Sequence, residues 1–267
     1  MKTSVFLGVG GSGMRGLAYL LREQGEKIVG FDDAPGLSEL SLEQALKEVS
    51  TANRLVYSDA ALESHALRVE AKRIGIPQIP YQQALGAFAH NYQTIAITGT
   101  HGKSSTTAFL AHICIQTGLD PVVLVGANME SLRGKHAQYG KGKYFIVEAD
   151  EYRNHFLELF PAHAIITTID FDHPDSFSSL QDTEKAYQEF ISQIDPSGYL
   201  VISDTEKNKH SSITFPKHTI AVLEKDISDI HVPLPGDHMR MNALLAVTLA
   251  EKLGIPRTDA ITSLKTF

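Results

Sequence analysis

Only one cysteine, Cys114, stands in the 267 residues, so an intrachain disulfide framework is impossible and a reducing compartment is the expected setting. Its neighbours His112, Ile113 and Ile115 read as the core side of a helix. Cations are not in surplus: the formal net charge is -7, which argues against a life on nucleic acid, because phosphate backbones demand clustered Lys and Arg. Any anionic ligand must therefore be met by local groups. Long apolar runs are missing too, and nothing approaches the ~20 residues of a membrane-spanning helix. The N-terminal apolar run, 5–9, is too short for a secretory signal and runs at once into glycines. A cytoplasmic protein without nucleic-acid or membrane partners is the expectation. Repeats and low-complexity tracts are also absent.

What remains is a chain of 43% hydrophobic residues, long enough for one large α/β domain or two smaller ones, each with its own core. Residues 1–90 alternate short β-branched runs (4–9, 27–31, 54–57) with helical patterns (13–24, 40–49, 62–73). That rhythm marks a parallel sheet wound with helices. A second series opens with a strand at 94–98 and a helix from Lys103. Strands follow near 122–125, 145–148 and 164–168, then a helix at 183–194, strands at 200–203 and 219–223, and a helix at 239–253. The joint is expected around 88–93, although neither Pro nor Gly marks it, and the Gly/Lys-rich 133–143 reads as a mobile loop. The fold class is α/β: a Rossmann-like N-terminal domain, then a P-loop α/β ATPase-type central domain.

Two glycine loops carry the functional argument. Gly8-Val9-Gly10-Gly11-Ser12-Gly13 lies between a strand and a helix, where backbone N–H groups at a helix N-terminus can cradle a diphosphate. Asp32 closes the next strand, where an acid meets a ribose hydroxyl in dinucleotide sites. Taken alone, this loop serves a nicotinamide oxidoreductase as well as anything else. The second loop, Gly99-Thr100-His101-Gly102-Lys103-Ser104-Ser105, is a P-loop in form, with Ile97 where the usual spacing has its first glycine. Its N–H groups suit nucleotide phosphates, Lys103 their charge, and Ser104 a magnesium ion. Acidic and histidine-bearing segments, Glu148-Ala149-Asp150-Glu151 and Asp170-Phe171-Asp172-His173-Pro174-Asp175, follow strands at the sheet end where ligands bind. A carboxylate and an imidazole there can complete a magnesium shell begun by Ser104. Acidic strand ends are otherwise often solvated rims.

Across these blocks the chain resembles the Mur ligase family, nearest to its UDP-N-acetylmuramate:L-alanine ligase branch. The likeness rests on GVGGSGMRGLA at 8–18, TGTHGKSSTT at 98–107, VEADEYRNHFL at 147–157 and TTIDFDHPDSF at 167–177, in family order. A fifth block, Gly236-Asp237-His238-Met239-Arg240-Met241-Asn242, is similar to the family's adenine-contacting motif, with Met239 replacing its first asparagine. The resemblance implies that Gly8, Gly10, Gly11, Ser12, Gly13, Met14 and Asp32 hold the sugar nucleotide. It implies that Gly99 to Ser105 and Asn242 hold ATP, and that Ser104, Glu148 and His173 hold Mg²⁺. Lys103, Glu148 and His173 become the catalytic set. The implied reaction phosphorylates the carboxylate of UDP-N-acetylmuramate from ATP; an amino acid, L-alanine first, then displaces phosphate. Arg153 and His155 are open between contacts to the sugar nucleotide and a solvated loop. The sequence stops just after the helix preceding the family's C-terminal, amino-acid-binding domain. A truncated form competent in binding alone is therefore expected, with a non-catalytic binding module as the alternative.

Overall fold

The computed structural model describes every residue except Met1, Glu39, Glu130, Ser131, Arg133 and Gly134. The first unit is β1 (Thr3–Leu7), α1 (Ser12–Glu23), β2 (Lys27–Phe31), α2 (Leu42–Val49), β3 (Arg54–Tyr57), α3 (Ala66–Ile74), β4 (Gln78–Pro80) and α4 (Tyr81–Ala89). Its strands form a parallel sheet in the order β2-β1-β3-β4. Because β1 feeds a neighbour on each side, the chain reverses direction at its C-terminal end, the place where open α/β sheets leave a crevice. The first glycine loop occupies that crevice.

The second unit is β5 (Gln93–Thr98), α5 (Lys103–Gln116), β6 (Val122–Met129), β7 (Lys135–Gln138), β8 (Tyr144–Glu148), β9 (His163–Ile166), α6 (Leu180–Ser192), β10 (Leu200–Ser203), α7 (Asp204–Lys209), β11 (Thr219–Val222), α8 (Asp237–Lys252) and α9 (Arg257–Ser263). Seven strands pair in the order β11-β10-β9-β5-β8-β6-β7, parallel except for β7. Here β5 lies between β9 and β8, so the P-loop also leaves a strand at a switch point. Alternation along the strands divides the core: Ala96, Phe145 and Val147 face the first unit, while Ile95, Ile97 and Ile146 face α5 and α8. Helix α5 is buried from Thr106 to Cys114, which fits its lack of a polar stripe and puts Cys114 in the core as expected.

The helix starts differ in a way that matters for function. Ser41, Ser179 and Ser203 cap α2, α6 and α7 with side-chain hydrogen bonds, and His65 caps α3. Helices α1 and α5 begin at Gly11 and Gly102 with no side-chain cap. Their first-turn N–H groups are thus left to other acceptors.

Several expectations are corrected. The 133–143 stretch is a loop only in part: Lys135–Gln138 adds an antiparallel edge strand to β6, residues 139–143 connect it to β8 with Gly140 and Gly142 close against the Asp120 and Leu119 carbonyls, and Arg133 and Gly134 lie outside the described residues. Four residues without β-branched side chains gave no strand signal in the sequence. Elements β4 and α4 were not foreseen, because three residues ending in proline and an alanine-rich turn carry little periodic signal. The joint is only three residues, from His90 to Tyr92, and one apolar cluster runs through it, joining Phe6, Leu17 and Phe88 to Val122 and Phe145. No helix among the described residues is long and apolar enough to cross a membrane.

Candidate active site

In the first loop most backbone donors are already spent. The N–H groups of Gly8 and Val9 reach the Phe31 carbonyl, and that of Gly11 reaches Gly8. The Asp32 carboxylate accepts from Gly10 at 2.8 Å and from Ala34 at 2.9 Å, while Arg15 donates to the Gly10 carbonyl at 2.8 Å. Asp32, expected at a ribose, therefore shapes the loop itself. What remains for an anion is the first turn of α1: the N–H groups of Ser12, Gly13 and Met14. At Gly13 a Cβ would lie 2.5 Å from the Tyr81 hydroxyl, so a larger residue would displace the end of that side chain. Burial, with the charges of Asp150 and Glu148, lifts that phenol's pKa well above its ordinary value.

The second loop is tied to the end of β9. Thr100 donates its N–H to the Thr168 carbonyl, His101 donates to the Thr168 hydroxyl, and the Thr167 hydroxyl donates to the His101 carbonyl. Gly99 has φ +134°, and a Cβ there would come within 2.0 Å of Thr167 Oγ1, so no other residue fits. Lys103 Nζ donates to the Gly99 carbonyl at 2.7 Å and to both Glu151 oxygens at 2.8 and 3.0 Å. Glu151 is 2% exposed; burial raises its carboxyl pKa, with Lys103 pulling the other way. Ser104 Oγ donates to Glu148 Oε1 at 2.9 Å, and Glu148 Oε2 accepts the Gly126 N–H at 2.7 Å. Ser105 follows in the first turn of α5. The Asn242 side chain rests on Gly102, where a Cβ would lie 2.8 Å from its amide oxygen. That residue opens onto a side cavity of about 360 Å³ shared with Thr168, Glu206 and His238.

His173 has φ +55° and points its Nε2 to within 3.8 Å of Glu151 Oε1. Ligand atoms of Asp150, Glu151 and His173 lie within 4.8 Å of one another. The sequence-derived metal set is thus divided: Ser104 touches Glu148, whereas His173 gathers with Asp150 and Glu151. Of these groups, Glu148, Asp150 and His173 line the main cavity. About 410 Å³ in volume, that cavity is lined by Ser12 and Gly13 from the first loop and by Lys103, Glu148, Asp150 and His173 from the second unit. Two loops some 90 residues apart in sequence open on one space. The oxygen-rich donors beside the P-loop suit a hard cation such as magnesium.

Two family models match in sequence order. "Mur ligase family, catalytic domain" covers residues 3–93 and "Mur ligase middle domain" covers 97–222. The chain belongs to the Mur ligase family. A UDP-N-acetylmuramate--L-alanine ligase of Desulfitobacterium hafniense is 32% identical over 98% of this chain and 66% of its own length. One from Aquifex aeolicus is 30% identical over 94% of this chain and 63% of its own length. The chain thus spans a little under two thirds of these relatives. Among solved structures, the UDP-N-acetylmuramate:L-alanyl-gamma-D-glutamyl-meso-diaminopimelate ligase from Neisseria meningitides shares the fold with TM-score 0.83 at 23% identity, over 100% of this chain and 98% of that one. The UDP-N-acetylmuramate-alanine ligase from Thermotoga maritima gives TM-score 0.80 at 20% identity, over 100% and 69%.

Within this Mur ligase fold, sequence reading left several cavity residues without a task. Glu151 sat in a quoted motif, yet its pairing with Lys103 needs the fold. Tyr81, Gln82 and Asp59 carried no local signal at all. His155, open between two readings, lines the cavity.

Proposed function

We propose that this chain carries the sugar-nucleotide and ATP sites of an ATP-dependent, amide-forming ligase of cytoplasmic peptidoglycan precursor synthesis, which joins L-alanine to UDP-N-acetylmuramate. On this reading residues 1–90 form the sugar-nucleotide domain and 91–267 the ATP domain. The observation that carries it is the shared cavity, where the uncapped start of α1 faces Lys103, Glu148 and His173. The names of the curated relatives supply the substrate.

Ser12, Gly13 and Met14 would offer N–H groups to the uridine diphosphate, with Gly8, Gly10, Gly11 and Asp32 holding the loop in shape. Gly99 to Ser105 would surround the ATP phosphates, and Asn242 would face the adenine. Lys103 would leave Glu151 for the transferring phosphoryl group and stabilise its charge. Ser104, Glu148 and His173 would hold Mg²⁺, which supplies charge neutralisation when bound. The muramoyl carboxylate, presented by the first unit, would attack the γ-phosphorus, the bond to the β,γ-bridging oxygen would break and ADP would leave. The amine would then attack the carbonyl carbon of the acyl phosphate, the C–O bond to phosphate would break, and inorganic phosphate and the amine's proton would be released.

Calorimetry with UDP-N-acetylmuramate and with NAD tests the first unit; tighter binding of NAD sinks the assignment. Phosphate release and L-alanine incorporation, measured side by side, test the chemistry. The absence of both ATP turnover and Mg-ATP binding would leave the proposal without support.

A further inference from the structure

His155 belongs to the 3-10 turn Tyr152–Glu158, whose Arg153 and Asn154 have φ +50° and +60°. L side chains adopt that region at a cost, and it persists where the surroundings over-determine it. Here they do. Phe156 is fully buried, stacked on Phe190 at 4.8 Å and edge-on to Tyr187, and its N–H reaches the Asp150 carbonyl. With Phe156 anchored inward, the turn delivers His155 into the cavity between the two units.

There it meets the first unit. His155 Nε2 lies 2.8 Å from Asp59 Oδ2, just beyond β3, and 2.6 Å from the amide nitrogen of Gln82 on α4. Gln82 in turn donates to Asp59 Oδ1 at 2.8 Å. His155 thus makes two side-chain contacts from the second unit to the first, beside the place where the charges of Asp150 and Glu148 reach the Tyr81 phenol. The seam elsewhere is close packing, with Gly86 of α4 against the Glu158 carbonyl and Gly16 of α1 against Leu124, and this triad adds the directional polar contacts at the cavity itself.

We propose that His155, Asp59 and Gln82 form a latch that fixes the gap between the two loops, which makes His155 a positioning residue for the sugar nucleotide. The proposal rests on the ligase reading and deepens it. A ligand held by the first loop must reach a phosphoryl group held by the second, and displacements near 1 Å are enough to spoil such alignment. On the same reading ATP is held by groups of the second unit, the P-loop and Asn242, and so does not span the gap.

The test is a cycle of Asp59→Asn, His155→Gln and the double variant, with UDP-N-acetylmuramate and Mg-ATP affinities read by calorimetry. Each single variant is expected to weaken the sugar nucleotide roughly five- to tenfold, at the low end of coupling between sites. The double variant should be no weaker than the singles, because they share one contact. Asp59→Glu should recover part of the loss, and Mg-ATP affinity should hold. Unchanged sugar-nucleotide affinity, equal losses for both ligands or additive losses would overturn the latch. If the unaltered chain fails to bind UDP-N-acetylmuramate, the ligase reading falls. The latch is then judged without ligand, by hydrogen exchange. Faster exchange of 152–158 and of α4 in Asp59→Asn supports it, and unchanged protection overturns it.

Discussion

The two glycine loops are built to one plan and equipped for different work. Each leaves a strand at a switch point, each starts a helix at a glycine without a side-chain cap, and both reach one cavity. The first is pinned by a carboxylate, Asp32, and keeps only neutral first-turn N–H groups for a ligand. Hydroxyls of Thr167 and Thr168 pin the second, which is surrounded by Lys103, Glu148, Glu151 and His173. Backbone dipoles suffice to hold an anion. Moving a phosphoryl group needs a cation beside it and carboxylates to seat a metal. On the proposed reading the contrast leaves binding to one loop and chemistry to the other, and substitutions can break it.

Lys103→Ala should have the largest effect. Charge-assisted hydrogen bonds contribute about 1.5–3 kcal/mol, so Mg-ATP affinity should fall by roughly ten- to a hundredfold. UDP-N-acetylmuramate affinity should stay where it was. Calorimetry with both ligands checks this, and a parallel loss of the two would erase the distinction between the loops. Next comes Glu148→Gln, which removes the charged partner of Ser104. The magnesium concentration that supports ATP binding should rise by about tenfold, the scale seen when a metal site loses a supporting group. A magnesium titration at fixed ATP reads it, and an unmoved midpoint would show that the metal sits with Asp150, Glu151 and His173 instead.

Gly13→Ala is the converse test on the first loop. The new Cβ would press on the end of the Tyr81 side chain, and overpacking of this kind destabilises by about 1 kcal/mol or more. Sugar-nucleotide affinity should drop severalfold with a small loss of Tm, while Mg-ATP binding is spared. Loss of ATP binding here would mean that the cavity responds as one unit.

Much of this was legible because both loops are continuous in sequence and flanked by strands that read as short apolar runs. The runs 94–98 and 145–148 are such strands, and in the fold their residues divide between the two core clusters. What could not be read depends on segments far apart. Glu151 reaches Lys103 across 48 positions, and Asp59, Gln82 and His155 converge from β3, α4 and a strained turn. Asp32 shows a subtler limit. Its position after the second strand was visible, but a carboxylate there can face a ribose or its own loop, and only the fold decides which. The edge strand β7 was hidden because its four residues, Lys135 to Gln138, carry no β-branched or alternating apolar signal and are followed by glycines at 140 and 142.

The smallest predicted effect concerns Glu151, the group that keeps the lysine of the second loop in place. Burial raises this carboxyl above its ordinary value near 4.5, against the opposing pull of Lys103. An acid with a higher pKa folded than unfolded binds its proton more tightly in the folded state. Its contribution to stability is therefore complete below about pH 4.5 and is lost as pH rises through the folded-state value. Glu151→Gln keeps the shape and removes the titration. Urea unfolding of both proteins between about pH 4.5 and 7 should show the variant gaining on the parent as pH rises, then levelling off. Acids held low elsewhere, such as Asp182, pulled down to about 2 by its bonds to Ser178, Lys185 and Ser179, tilt both curves alike and cancel in the difference. A difference that shrinks with pH would mean that the ion pair with Lys103 outweighs burial. The lysine would then be locked more firmly than the ligase reading allows, and ATP would have to break a strong pair to bind.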